Sequence, residues 1–273
     1  MVSGATLSGM TDPSARPVAI VTGANQGIGA AVARQLAAHG VAVLATYFRM
    51  PPLEDPANPD QYDHDRASDA TQVMAEIAAD GGVAFALEAD LTDASVIPAM
   101  FDAAERELGP VSILVNNASS WLADTFLGSE RDHMNRKLAS IDATSFDHQF
   151  AVDARATALL IAELARRCEG PGRIVTMTSS GRDGWPGEVS YAAAKRAGES
   201  YTLSASLEFR DRGITANCVC PPPTDTGWVS DAVRDSIIAG GMRVAQPDEV
   251  AGVVAWLCSP AAAGVTGNVV QMH

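Results

Sequence analysis

Three observations predict an α/β fold: a single domain with a doubly wound, parallel, seven-stranded sheet and helices on both faces. Short apolar runs alternate with helical patterns along the whole 273-residue chain, which is how strands covered on both faces read. A glycine-rich turn, Thr22-Gly-Ala-Asn-Gln-Gly-Ile-Gly29, joins the first run to the first helix. No internal repeat interrupts the alternation, and no second domain follows Cys220. At this length one large domain can bury a substantial core.

The elements follow in order. Residues 18–22 form an apolar strand, and the helix after the glycine turn runs to His39 and stops at Gly40, where glycine suits a left-handed helix end. Strand 41–47 comes next. Residues 49–66 carry Pro51, Pro52, Pro56 and Pro59 among five acidic residues and are predicted to be an exposed loop, longer than most such connections. Helix 68–80, strand 83–88, helix 93–108 and strand 111–116 follow, punctuated by Gly81-Gly82 and Gly109-Pro110. Residues 119–144 are irregular and charged, and 145–167 are helical. Strand 173–178, helix 190–211 and strand 214–220 lead to Pro221-Pro222-Pro223, which breaks the chain. Helices 229–239 and 248–259 and a strand at 268–271 complete the set.

Composition narrows the function. A net charge of −14 and a pI near 4.6 argue against nucleic acid or anionic membranes as partners. No run of eighteen apolar residues predicts a transmembrane helix. Residues 1–15 are small and polar, without the pattern of a signal peptide; a disordered tail at 1–15 and a domain at 16–273 are expected, in the cytoplasm. Cys168, Cys218, Cys220 and Cys258 show no metal-site spacing and read as reduced core thiols.

Gly23, Gly27 and Gly29 let backbone approach a pyrophosphate closely, and the helix N-terminus beyond them offers free N–H groups and a positive dipole end. Asn25, Gln26 and Ile28 fill the same turn. An NAD site of this Rossmann type usually carries an acid after the second strand for the ribose 2′-OH. Here Thr46-Tyr47-Phe48-Arg49 stands there, without a carboxylate before Glu54. Arg49 could pair with a 2′-phosphate, whereas Gln26 is not the basic residue that would strengthen that choice. The reading favours NADP(H) and leaves NAD open.

Tyr191 and Lys195, four apart in Ser190-Tyr-Ala-Ala-Ala-Lys195, share one face of a helix. A nearby ammonium lowers a phenol's pKa, which suits acid–base work on a hydroxyl or carbonyl. Ser179 lies twelve residues upstream of Tyr191. The glycine turn, Asn116-Asn117-Ala118-Ser119 after the fourth strand, Ser179 after the fifth and Tyr191-x-x-x-Lys195 occur in one order on one fold. That combination resembles the short-chain dehydrogenase/reductase family, in its single-domain branch, over residues 16–273. Tyr-Ala-Ala-Ala-Lys is similar to the 3-oxoacyl reductases within it.

The resemblance implies roles. Tyr191 would give a proton to a carbonyl or take one from an alcohol. Lys195 would bond the nicotinamide ribose and lower the tyrosine pKa, and Ser179 would orient the substrate oxygen. Asp90 and Leu91 would contact adenine, Asn117 and Ala118 would line the cofactor, and Pro221, Thr224 and Thr226 would lie along the nicotinamide with Tyr47 and Arg49 at the far end. No metal is implied. Family members assemble as homotetramers or homodimers through the helices carrying Asp153 and Tyr191.

The chain also departs from the pattern. In Phe150-Ala-Val-Asp-Ala-Arg155, Asp153 takes the place of the usual asparagine, and Pro221-Pro222-Pro223 replaces Pro-Gly. The end, Val265 to His273, lacks the usual Gly-Gly. A carboxylate at 153 would stabilise the Lys195 ammonium and weaken its pull on Tyr191. Trp121, Trp185 and Trp228 lie in loops at strand carboxyl ends, where they could line an apolar pocket or simply pack loops. Two functions compete: an NADP(H)-dependent reductase or dehydrogenase acting on a small carbonyl or secondary alcohol, and a dinucleotide-binding regulator with weakened turnover. A sugar epimerase or dehydratase is disfavoured because no substrate domain follows Cys220.

Overall fold

The computed structural model of the chain describes residues 16–51, 59–132, 136–179 and 184–273; the expected disordered tail at 1–15 lies outside them. In chain order, β1 (Val18–Val21) passes through the glycine turn into α1 (Gly27–Ala38). Then come β2 (Ala42–Tyr47), α2 (Asp60–Ala67), α3 (Thr71–Ala79), β3 (Ala84–Glu88), α4 (Val96–Glu107) and β4 (Val111–Asn116). Two short strands, β5 (Asp124–Thr125) and β6 (Ala139–Ser140), pair in parallel within the segment expected to be irregular. α5 (Ala143–Phe150), a π-helical stretch (Ala151–Ala156) and α6 (Thr157–Arg167) follow without a break. The remaining elements are β7 (Arg173–Met177), α7 (Val189–Glu208), β8 (Thr215–Cys220), α8 (Asp231–Ala239), α9 (Pro247–Cys258) and β9 (Val269–Gln271).

The large sheet has the order β3-β2-β1-β4-β7-β8-β9, and its pairings are parallel. Its strands are apolar because both faces are covered. Ala19 and Val21 of β1 point to a layer with Leu36 of α1 and Val250 and Val254 of α9. Val18 and Ile20 point the other way, onto Met100 and Phe101 of α4 and Leu160 and Leu164 of α6. Each large side chain so buried contributes about 1.5–3 kcal/mol. Strand order reverses between β1 and β4, and that switch point opens a crevice at the carboxyl ends.

Two expectations change. The 49–66 segment is not all loop, since α2 occupies its second half. Asp60 and Asp63 in the first turn and His64 and Arg66 in the last complement the helix dipole. Tertiary contacts complete it: Asn25 Nδ2 donates to the carbonyls of Asp65 and Ser68 at 3.2 and 3.0 Å, and Met50 N–H to that of Arg66 at 3.0 Å. The helix expected at 145–167 starts earlier, at Ala143, where Asp142 and Ser145 form a reciprocal cap, and it widens into the π stretch midway. Among the described residues no helix is long and apolar enough to cross a membrane.

Candidate active site

A cleft of about 680 Å³ lies at the carboxyl ends of the central strands. At one end the glycine turn forms its floor. Gly23 and Gly27 have φ of 64° and 54°, a region costly for other residues. A Cβ on Gly29 would lie 2.0 Å from the Gly23 carbonyl oxygen, and one on Gly27 would lie 2.8 Å from Thr226 Cγ2. Thr22 Oγ1 accepts from the N–H groups of Asn117 and Ala118, both at 3.0 Å. Asn117 Nδ2 in turn donates to the carbonyls of Thr22 and Gly23 at 2.9 and 3.0 Å. The turn is thus braced from β4 and leads into a helix with no acid in its first turn. Such a cradle fits a dinucleotide pyrophosphate.

Most residues singled out from the sequence meet here. Gly23, Asn25, Gln26, Gly27, Ile28, Tyr47, Asp90, Leu91, Asn117, Ala118, Pro221 and Thr226 line the cleft, as do Ser179, Tyr191 and Lys195 further along. Four take other positions, among them Asp153, which is buried beside Lys195. Gly29 sits behind the turn, against Gly23 and Asn117. Thr224 is buried, its hydroxyl donating to the Pro222 carbonyl and its own carbonyl accepting from Trp228 Nε1, each at 2.8 Å. Arg49 turns outward, its Nε and Nη2 donating to the Glu88 carboxylate at 3.0 and 2.7 Å. Glu88 at the end of β3 is the competitor that a reading of β2 alone overlooks.

α7 carries the Tyr–Lys pair. Its first turn is tied down by Ser190 N–H, which donates to Asp124 Oδ1 at 2.9 Å. Lys195 Nζ lies 2.8 Å from Asp153 Oδ1, donates to the Met177 carbonyl at 3.3 Å and stands 5.7 Å from the centre of the Tyr191 ring. Asp153 is only 3 % exposed. Its other oxygen accepts from the backbone N–H and hydroxyl of Ser120 at 3.1 and 3.3 Å. Gly198 allows this approach, since a Cβ there would lie 2.8 Å from the Asp153 carbonyl oxygen.

The electrostatic outcome differs from the simple Tyr–Lys expectation. Burial, and next the Asp153 carboxylate, hold the Tyr191 phenol well above its ordinary value. Lys195 directs its charge to Asp153, so its pull on the phenol is largely spent.

Beyond Tyr191 the walls are aromatic. Trp185 meets the Tyr191 ring edge-on, with centroids 6.5 Å apart, and Trp121 and Trp228 line the same space. Arg136, which the sequence did not single out, packs over Trp121 at 5.1 Å. It is held by Asp132 Oδ2 at 2.7 Å and Glu188 Oε1 at 2.9 Å, and burial raises the Glu188 carboxyl despite that guanidinium. Tyr62 and Arg66 of α2 also reach the cleft, as an i, i+4 pair with the guanidinium 5.5 Å from the ring; that spacing was a readable signal. Among the described residues no group of three or more His, Cys, Asp or Glu could hold a metal.

Fold and cleft together define the class of NAD(P)-dependent oxidoreductases. Comparison with known proteins narrows it. Residues 62–272 match the family described as Enoyl-(Acyl carrier protein) reductase. An uncharacterized oxidoreductase of Bacillus subtilis, YjdA, is 34% identical over 94% of this chain and 96% of its own. A 3-oxoacyl-[acyl-carrier-protein] reductase of Synechocystis is 32% identical over 92% and 93%. Among solved structures, a short-chain dehydrogenase from Burkholderia cenocepacia in complex with NADP superposes with a TM-score of 0.78 at 28% identity, covering 94% of this chain and 96% of that one. The ketoreductase LanV with bound NADP gives 0.77 at 28%, with 93% of both chains covered. The chain belongs to the short-chain dehydrogenase/reductase family.

Proposed function

We propose that the protein is an NADP(H)-dependent carbonyl reductase or alcohol dehydrogenase acting on a small organic substrate with an apolar body. The observation that carries this reading is the continuity of one cleft, from the glycine turn to Tyr191, Lys195 and Ser179 and on to the three tryptophans. Neighbours solved with NADP, one of them a ketoreductase, support the cofactor and the carbonyl.

The bound nicotinamide supplies or accepts the hydride. The chain's own residues handle the oxygen. In reduction Tyr191 hands its proton to the substrate carbonyl oxygen, and the Ser179 hydroxyl donates a hydrogen bond to that same oxygen. Burial and the Asp153 carboxylate hold the phenol above its ordinary value, which suits it to the proton-giving role. Asp153 and the Met177 carbonyl hold Lys195, and the Lys195 ammonium would bond the nicotinamide ribose. The aromatic wall excludes water from the reacting carbon.

Monitoring NADPH oxidation across a panel of ketones and aldehydes, with Tyr191→Phe alongside, tests this. Turnover that requires Tyr191 supports the reading; NADPH binding without such turnover favours the second one, a regulator weakened at the Lys195–Asp153 pair. Assembly through the helices bearing Asp153 and Tyr191 is supported by the exposed Phe146, Leu159 and Tyr201, and light scattering would report dimer or tetramer.

A further inference from the structure

The second strand of a doubly wound sheet ends beside the adenosine ribose, where an acid or a nearby arginine reads the 2′ position. Arg49, the basic residue that follows β2 in sequence, is engaged with Glu88 on the outer surface. Another arginine returns to the same corner. Arg66, near the end of α2, lines the cleft with Thr46, Tyr47 and Gln26, and its carbonyl accepts from Met50 N–H just past β2.

Its guanidinium is poorly satisfied for its burial. Arg66 is 7% exposed, and among the described residues its Nη1 has no hydrogen-bond partner. The Asp63 carboxylate is 3.9 Å from that nitrogen, too far for a hydrogen bond, and Nη2 meets the Met50 thioether at 3.4 Å. A thioether is a weak acceptor, and a buried cation without full partners is costly. The position is nonetheless anchored: Asn25 of the glycine turn holds the carbonyls of Asp65 and Ser68 on either side of Arg66. A planar donor fork is held where an anion would complete it.

We infer that Arg66, carried on the inserted helix α2, binds the 2′-phosphate that distinguishes NADP from NAD, with the Met50 thioether giving way to phosphate oxygens. Cofactor choice is then set by an element outside the strand–turn–helix that cradles the pyrophosphate. The inference rests on the NADP(H) reading above and adds the residue that enforces it.

Titrating the full-length protein with NADP⁺ and NAD⁺ by calorimetry tests it, using the parent, Arg66→Gln, Arg66→Met and Arg49→Gln. Arg66→Met keeps the apolar stem over Tyr62 and serves if the glutamine variant does not fold. Removing charge-assisted bonds to a phosphate should weaken NADP⁺ binding about 10- to 100-fold. NAD⁺ binding should stay within about twofold, because its hydroxyl makes no such bond. Arg49→Gln should leave the preference unchanged. Equal losses for both cofactors, no loss for either, or a loss that follows Arg49 would each overturn the assignment. A parent that prefers NADP⁺, with a preference unmoved by Arg66 variants, overturns Arg66 alone. A parent without that preference overturns the NADP(H) reading as well.

Discussion

Replacing Asp153 by asparagine removes one charge from the buried centre of the site and leaves its shape nearly unchanged. In the parent, Asp153 sits 2.8 Å from Lys195 Nζ and so faces the ammonium that stands 5.7 Å from the centre of the Tyr191 ring. With an effective dielectric of about 20, an ammonium 5.7 Å from the ring centre attracts a phenolate by about 3 kcal/mol, roughly a hundredfold in phenolate population. The carboxylate cancels most of that and adds repulsion of its own. Asp153→Asn therefore favours the phenolate, the form that takes a proton from an alcohol. The assay is alcohol oxidation with NADP⁺ as a function of pH. The oxidation profile should move to lower pH, with a gain of about tenfold at fixed pH below its plateau, since the hundredfold figure is a ceiling. The amide offers one acceptor oxygen where the carboxylate serves both Lys195 and Ser120, so a stability loss of about 1–3 kcal/mol should accompany it. Superimposable pH profiles, or slower oxidation at every pH, would refute the reasoning.

Three further outcomes are expected. Tyr191→Phe should lower ketone reduction about 10²- to 10⁴-fold while leaving the NADPH dissociation constant unchanged in a fluorescence titration. Gly29→Ala places a methyl 2.0 Å from the Gly23 carbonyl oxygen and 2.5 Å from Asn117 Nδ2; the turn must open, with calorimetry showing at least about tenfold weaker NADPH binding and denaturation a loss of about 1–3 kcal/mol. Burial pushes the Cys218 and Cys258 thiols up to about 12, so iodoacetamide at pH 8 should leave both unmodified in the native protein and label them only after unfolding.

Much of this molecule could be read from residues alone, for identifiable reasons. Strands such as residues 18–21, Val-Ala-Ile-Val, are apolar without interruption because both faces are covered, and that pattern survives any loop variation. Gly23, Gly27, Tyr191 and Lys195 were legible because their spacing encodes contacts within one turn or one helix. α2 was not, since the prolines before it and its own acids give no apolar period, and it is tied down by Asn25, far away in sequence. The partner of Arg49 was hidden for the same reason: Glu88 is 39 residues on, brought alongside by the pairing of β2 with β3. Asp153 and the direction of its effect on Tyr191 were legible from sequence, whereas its 2.8 Å approach to Lys195 and its bonds to Ser120 were not.

The π-helical stretch between α5 and α6 ties chain length to chemistry. Each residue advances an α-helix by about 100°, and a π turn spans one residue more than an α turn. Six residues wound with one more per turn sweep roughly the angle that five sweep in an α-helix, so α5 and α6 keep a common phase although the stretch carries one residue more. Deleting a single residue, Ala154 for instance, would let α5 run straight into α6 with Leu160 and Leu164 still on the sheet. Only the stretch itself would be re-aimed, so the cost of shortening falls on the Asp153 carboxylate and its hold on Lys195 rather than on the core.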